Sequence, residues 1–148
     1  LKAAVLYNLA KFIEFPSESF DSADAPIVIG ILGDDPFGRQ FDMSLEGRTA
    51  GNRPVTVRRF ENIQDARRSH ILYVSASERR SQPQILAELK DTSLISVGET
   101  QDFTRIGGTI RLFLEAGKVR FEVNLDAVKR TRLSVSSELL KLARIVRD

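Results

Sequence analysis

The sequence predicts an α/β fold, a three-layer α/β/α sandwich with a mixed sheet, parallel N-terminal strands and a C-terminal antiparallel hairpin. Three observations predict it. Short apolar, β-branched runs at residues 27–32, 71–74 and 94–97 have the character of strands buried on both faces, as parallel sheets require. Stretches of helical periodicity separate those runs, the alternation that builds α/β layers. Two runs of strict alternation, 109–115 and 118–124, flank the turn pair Ala116-Gly117 and form a hairpin.

The elements follow in order. Residues 1–15 form a helix, with Leu6, Leu9, Ala10 and Ile13 on one side and Pro16 stopping it. The Ser-, Asp- and Ala-rich stretch 17–26 is a loop. After the first strand, Asp35 is the expected N-cap and Pro36 the expected first residue of a short helix carrying Phe37, Phe41 and Leu45. Residues 54–60 form the second strand, and Asn62 caps a small helix with Ile63, Ala66 and Arg67. The third strand, 71–74, leads to a helix opened by Pro83 with Ile85, Leu86 and Leu89 turned inward. The fourth strand, 94–97, is closed by Gly98-Glu99, and a loop with Phe103 and Gly107-Gly108 leads to the hairpin. A short helix covers 126–130. A last helix runs from 136 to 146, with Leu139, Leu142, Ala143 and Val146 on one side.

The chain has 148 residues, 42% hydrophobic and 28% charged, so residues 1–148 are expected to form a single domain with its own core. Basic residues number 22 and acidic ones 20, a formal charge of +2 that is too small for a nucleic-acid footprint. The arginine pairs, including Arg58-Arg59 and Arg67-Arg68, lie among acidic neighbours without interleaved aromatics, so they form a solvated face. Cysteine is absent, which excludes disulfides, thiolate metal sites and cysteine nucleophiles. The single histidine, His70, excludes a histidine-rich metal centre and has the place of a structural residue. No apolar run approaches the ~18 residues of a membrane span.

In open α/β sheets, ligands settle beyond the carboxyl ends of parallel strands. Gly33, Asp34, Asp35, Ser75, Ser77, Gly98 and Glu99 meet there and are the candidate small-ligand residues. Caps and turns would use the same residue types. Adjacent carboxylates such as Asp34 and Asp35 point apart on a turn, and no nucleophile-elbow pattern surrounds Ser75 or Ser77. No dinucleotide or Walker glycine spacing occurs. Hence no catalytic residue, metal or cofactor is expected. The candidate partner-binding residues are Phe12 and Phe15 at the end of the first helix, and Arg111, Phe113, Arg120 and Glu122 on the hairpin. The hairpin ranks first, as a late antiparallel strand tends to lie at a sheet edge. Phe113 is either covered by a helix or left as an anchor.

Longer stretches carry a resemblance. Lys2-Ala3-Ala4, Leu6-Tyr7-Asn8, Ala10-Lys11-Phe12 and Phe15-Pro16 resemble the opening of the YfiR family. Val28 through Gly38, His70 through Glu78, Gly107-Gly108, Arg120 through Asn124, Ser136-Ser137 and Leu139 through Arg144 continue the resemblance in family order across nearly the whole chain. It implies a periplasmic protein, exported and trimmed before Leu1, that is not an enzyme. It further implies binding and repression of a membrane-anchored signalling partner such as a diguanylate cyclase, with control of cyclic-di-GMP signalling and biofilm formation, and a homodimeric state. An outer-membrane lipoprotein is implied as a second partner, and nucleic acid is not expected to bind. A ligand-sensing domain using the strand-end cleft is the alternative. The well-known repressor of the family is redox-sensitive through its disulfides; this chain, without cysteine, has no such control.

Overall fold

The computed structural model describes residues 2–148. Leu1, where the first helix was expected to start, lies outside the described residues. The elements are α1 (Lys2–Phe12), β1 (Ile13–Glu14), β2 (Ile27–Leu32), α2 (Arg39–Ser44), β3 (Thr49–Ala50), β4 (Arg53–Phe60), α3 (Ile63–Ala66), β5 (Ile71–Val74), α4 (Gln82–Leu89), β6 (Ile95–Gly98), β7 (Ile110–Glu115), β8 (Lys118–Asn124), α5 (Leu125–Thr131), β9 (Ser134–Val135), α6 (Ser137–Leu142) and β10 (Arg144–Val146). Eight strands form one mixed sheet in the order β10-β8-β7-β6-β5-β2-β4-β3. The contacts β4-β2-β5-β6-β7 are parallel, and β7-β8 is antiparallel as expected.

The layers follow from strand alternation. Ile27, Ile29 and Ile31 of β2 face Leu6, Leu9, Phe41 and Leu139 from α1, α2 and α6. Leu32 joins Leu72 and Val74 against Ile85, Leu86 and Leu89 of α4 and Ala66 of α3. All six residues of β2 and all four of β5 are buried, which is why both segments consist almost wholly of apolar residues. Asn62 caps α3 by accepting from the Asp65 N–H, and Asn124 caps α5 by accepting from Ala127. At the hairpin turn, Ala116 (φ 52°) and Gly117 (φ 76°) both lie in the left-handed region, as a two-residue turn matched to strand twist demands.

Five expectations are corrected. The first helix ends at Phe12, because Ile13 and Glu14 leave it to pair with Val135 and Ser134 of β9. Asp35 does not cap α2. Its carboxylate instead accepts the N–H groups of Phe37 (2.9 Å) and Gly38 (3.1 Å), a local turn, and Gly38 at φ 72° delays the helix to Arg39. The last helix stops at Leu142, and Arg144–Val146 become a strand parallel to β8, in register Arg144↔Glu122 and Val146↔Asn124. The hairpin is therefore not the edge of the sheet along its inner half, because β10 covers β8 there. The fourth strand is shifted by one residue, to Ile95–Gly98.

Candidate functional site

The strand-end segments do come together, and they close on one another. Ser77 Oγ accepts from the Asp34 N–H at 2.9 Å and faces Glu78 Oε2 at 3.3 Å, while Ser75 Oγ accepts from the Ser77 N–H. A Cβ on Gly33 would stand 2.6 Å from Ser77 Oγ, so no space is left between them. Asp35 is held by Arg59 Nε at 2.8 Å, and the same guanidinium binds Asp42 at 2.7 Å. Some burial opposes ionisation of Asp35, but the Phe37 N–H and Arg59 outweigh it and lower its pKa; the hydrogen bond from Arg59 lowers that of Asp42. Asp34 is exposed. Gly98 packs closely against the Phe103 ring, which also fills the space beside Gly108. Glu99 accepts the Tyr73 hydroxyl and pairs with Lys2 Nζ at 2.6 Å; burial, then Glu99, pushes the Tyr73 pKa up.

His70 is remote from these serines. It enters β5 where Ser75 leaves it, so the strand, at roughly 3.3 Å per residue, separates them by more than 10 Å. Its Nδ1 accepts the Val28 N–H (2.9 Å), its Nε2–H donates to Ser19 O (2.9 Å), and Phe20 stacks on the ring at 4.4 Å. That donor–acceptor pair specifies the neutral ring. Phe15 packs edge-on against the same ring at 5.5 Å, and Phe12 and Phe15 both lean on the core, half-buried. Among the described residues no three His, Asp or Glu side chains gather as a metal site, and no helix is long and apolar enough to cross a membrane.

The outward face of the hairpin is a different kind of surface. Register sets Arg111 directly opposite Glu122 and Phe113 opposite Arg120. Arg111 grips Glu122 through two bonds, Nε–Oε1 at 3.0 Å and Nη2–Oε2 at 3.2 Å, and Thr104 donates a third to the same carboxylate. The Arg111 bond, reinforced by Thr104 against partial desolvation, lowers the Glu122 pKa. From β10, Arg144 reaches Glu122 at 3.7 Å and Glu115 at 3.6 Å, and Arg120 approaches Glu115 at 3.9 Å. The guanidiniums of Arg111 and Arg144 each lie 4.7 Å from the centre of the Phe113 ring. Phe113 belongs to neither core cluster; arginines flank it, and it stays partly open to solvent.

Strand alternation in the sequence places Arg111, Phe113, Arg120 and Glu122 on one face of the hairpin, and the register agrees with that placement. Sequence reasoning missed Arg144, because a helical pattern hid the strand that carries it. It also missed a groove of about 810 Å³ between α1, α2 and the hairpin tip, whose lining includes Tyr7, Phe37, Phe41 and Arg48. Three separate elements build that groove, and no local pattern signals it.

A bidentate Arg–Glu pair thus anchors a cluster of guanidiniums around a half-open aromatic ring. Comparison with protein families gives a match to the YfiR/HmsC-like family model over residues 1–144. That match spans nearly the whole fold, hairpin and β10 register partner included, and the chain belongs to the YfiR/HmsC-like family.

Proposed function

We propose that this protein is a non-enzymatic periplasmic regulator that binds the outer-facing part of a membrane-anchored diguanylate cyclase and represses it, so controlling cyclic-di-GMP signalling. Family membership supports a regulatory, non-catalytic role in signalling. The observation that carries the contact surface is Phe113, flanked by the Arg111 and Arg144 guanidiniums, outside both core clusters and partly open to solvent. Aromatic and arginine side chains dominate binding energy at protein interfaces, above all where a rigid frame holds them. Here the frame is the Arg111–Glu122 pair, whose side chains are 12% and 10% exposed. Phe12 and Phe15 are a lesser surface in this reading, as the core takes up part of each.

Repression needs only differential affinity for two states of the partner. A preference of about 10⁴-fold moves an equilibrium from one extreme to the other, and smaller preferences move it in proportion. In this reading the repressor is a homodimer, and an outer-membrane lipoprotein competes with the cyclase for it.

The test is titration of the purified protein with the periplasmic portion of the cyclase. Saturable binding is expected, with Phe113→Ala weakening it by more than tenfold, about 1.4 kcal/mol, while the unfolding midpoint stays unchanged. No binding up to ~100 μM, a free energy near −5.5 kcal/mol, rejects the reading. Sedimentation of the free protein at the same concentrations tests the dimer.

A further inference from the structure

We propose that the groove between α1, α2 and the hairpin tip is a binding site for an amphipathic monoanion, an apolar body bearing one carboxylate. The site is independent of the hairpin's outer face: it uses Leu114 and Val119, which point to the opposite side of the strands.

Size is the first argument. At about 810 Å³ the groove falls within the ~300–1,000 Å³ typical of small-molecule sites. Its floor is apolar and already ordered. Phe41 and Leu45 are buried, and Phe37 lies 5.1 Å from Phe41 and 5.1 Å from Tyr73. Leu114, 62% exposed at the hairpin tip, forms a wall with one side to solvent. A ligand with an apolar body would cover this surface at a gain of roughly 25 cal/mol per Å² removed from water.

Charge is the second argument, and it selects the ligand's polar end. The lining contains two cations, Lys2 and Arg48, and no carboxylate. Lys2 is already neutralised by Glu99 at 2.6 Å. Arg48 has no carboxylate within ion-pair distance among the described residues. Its guanidinium lies 5.4 Å from the Tyr7 ring, whose hydroxyl is fixed to Thr49 O at 2.8 Å, and Lys11 stands 4.8 Å from the same ring. A groove lined largely by apolar residues therefore holds an uncompensated guanidinium, and a planar carboxylate is the group that matches it in charge and fork geometry. Asn8 and Gln40 offer further donors along the rim.

Calorimetric titration tests this with decanoate and 2-naphthoate as probes, alongside uncharged decanol. At least one of the two carboxylates is expected to bind saturably below ~1 mM. Binding of decanoate alone points to an alkyl body, and of naphthoate alone to an aromatic one. Arg48→Gln is expected to weaken the acid about fivefold and leave decanol unchanged. Ala4→Trp, at an exposed α1 position on the groove wall, is expected to abolish binding of acid and alcohol together while the far-ultraviolet dichroism and unfolding midpoint are retained. The proposal is overturned by absence of saturable binding of both acids up to ~5 mM. It is also overturned if affinity persists in folded Ala4→Trp, or if Arg48→Gln weakens acid and alcohol equally. None of these outcomes depends on the partner that the hairpin binds.

Discussion

His70 is where a single residue is most exposed to solution conditions. Burial lowers its pKa below the ordinary 6.5, and the nearby Arg53 adds to that effect against the Ser19 carbonyl. The folded state therefore binds fewer protons than the unfolded chain in the interval below 6.5. Stability is complete above 6.5 and declines as pH falls towards the lowered folded value. Protonating Nδ1 would also set two donors against each other at Val28 N–H. Urea midpoints at about pH 7.5 and about pH 5.5 should therefore differ, the more acidic one being lower, and His70→Gln should flatten that difference. Equal midpoints in the native protein would contradict the neutral-ring assignment. Gly98 is a second residue-scale determinant. A Cβ there would sit 2.4 Å from the Phe103 ring, which is fully buried. Gly98→Ala is expected to cost about 1–3 kcal/mol by overpacking, read as a lowered urea midpoint at unchanged slope. The sequence made His70 legible as a structural residue. It read Gly98 as a turn glycine and a candidate ligand contact, since nothing local reveals a ring packed on it from the following loop.

Among the elements, β10 has the largest consequences relative to its length. Residues 136–146 carry a helical apolar spacing, yet Leu142 ends 65% exposed and only Leu139 of that stripe is fully buried. The chain instead gains ladder bonds along β8, with Ile145 opposite Val123. Three residues are too short for a period to declare itself, so tertiary pairing overrode a plausible local pattern. The buried strands 27–32 and 71–74 were legible because burial on both faces leaves only one kind of residue acceptable. The candidate site divides in the same way. Its hairpin half follows from alternation, whereas Arg144 and the α1–α2 groove follow from adjacency that only the folded chain creates. Ile145→Pro should detach β10, since proline can supply no ladder donor. Hydrogen exchange would then quicken at 144–146 and 122–124 and leave β2 and β5 protected. Unchanged protection along β8 would show that β10 contributes little. Asn124, 1% exposed, caps α5 and donates to Thr104 O and Asp148 Oδ1, both at 2.9 Å; Asn124→Ala should lower stability by about 1–3 kcal/mol in thermal or urea melts.

At the scale of the whole molecule, its ion pairs give an acid limit distinct from that of His70. Arg111 lowers Glu122, Arg59 lowers Asp42 and Arg130 lowers Asp148, from ordinary values of 4.5 for the glutamate and 3.8 for the aspartates. Their contribution is complete above those ordinary values and disappears as pH falls below them towards the lowered folded ones. Stability against pH should thus show two declines, one starting near 6.5 and one below 4.5. Arg111→Ala should shrink the lower one, because it removes the first partner of a largely buried carboxylate; a single acid transition unaffected by that change would refute the division. The smallest sheet sets a constraint on the order of assembly. Ile13 pairs with Val135, and Ser136 N–H reaches back to Phe12 O at 2.7 Å. Helix α1 is thus clasped by residues far along the chain from it, so a growing polypeptide leaves it without its clasp until β9 has been synthesised. Any product cut short before Ser134 lacks the pairing partners of Ile13 and Glu14 and leaves that end of α1 unfastened.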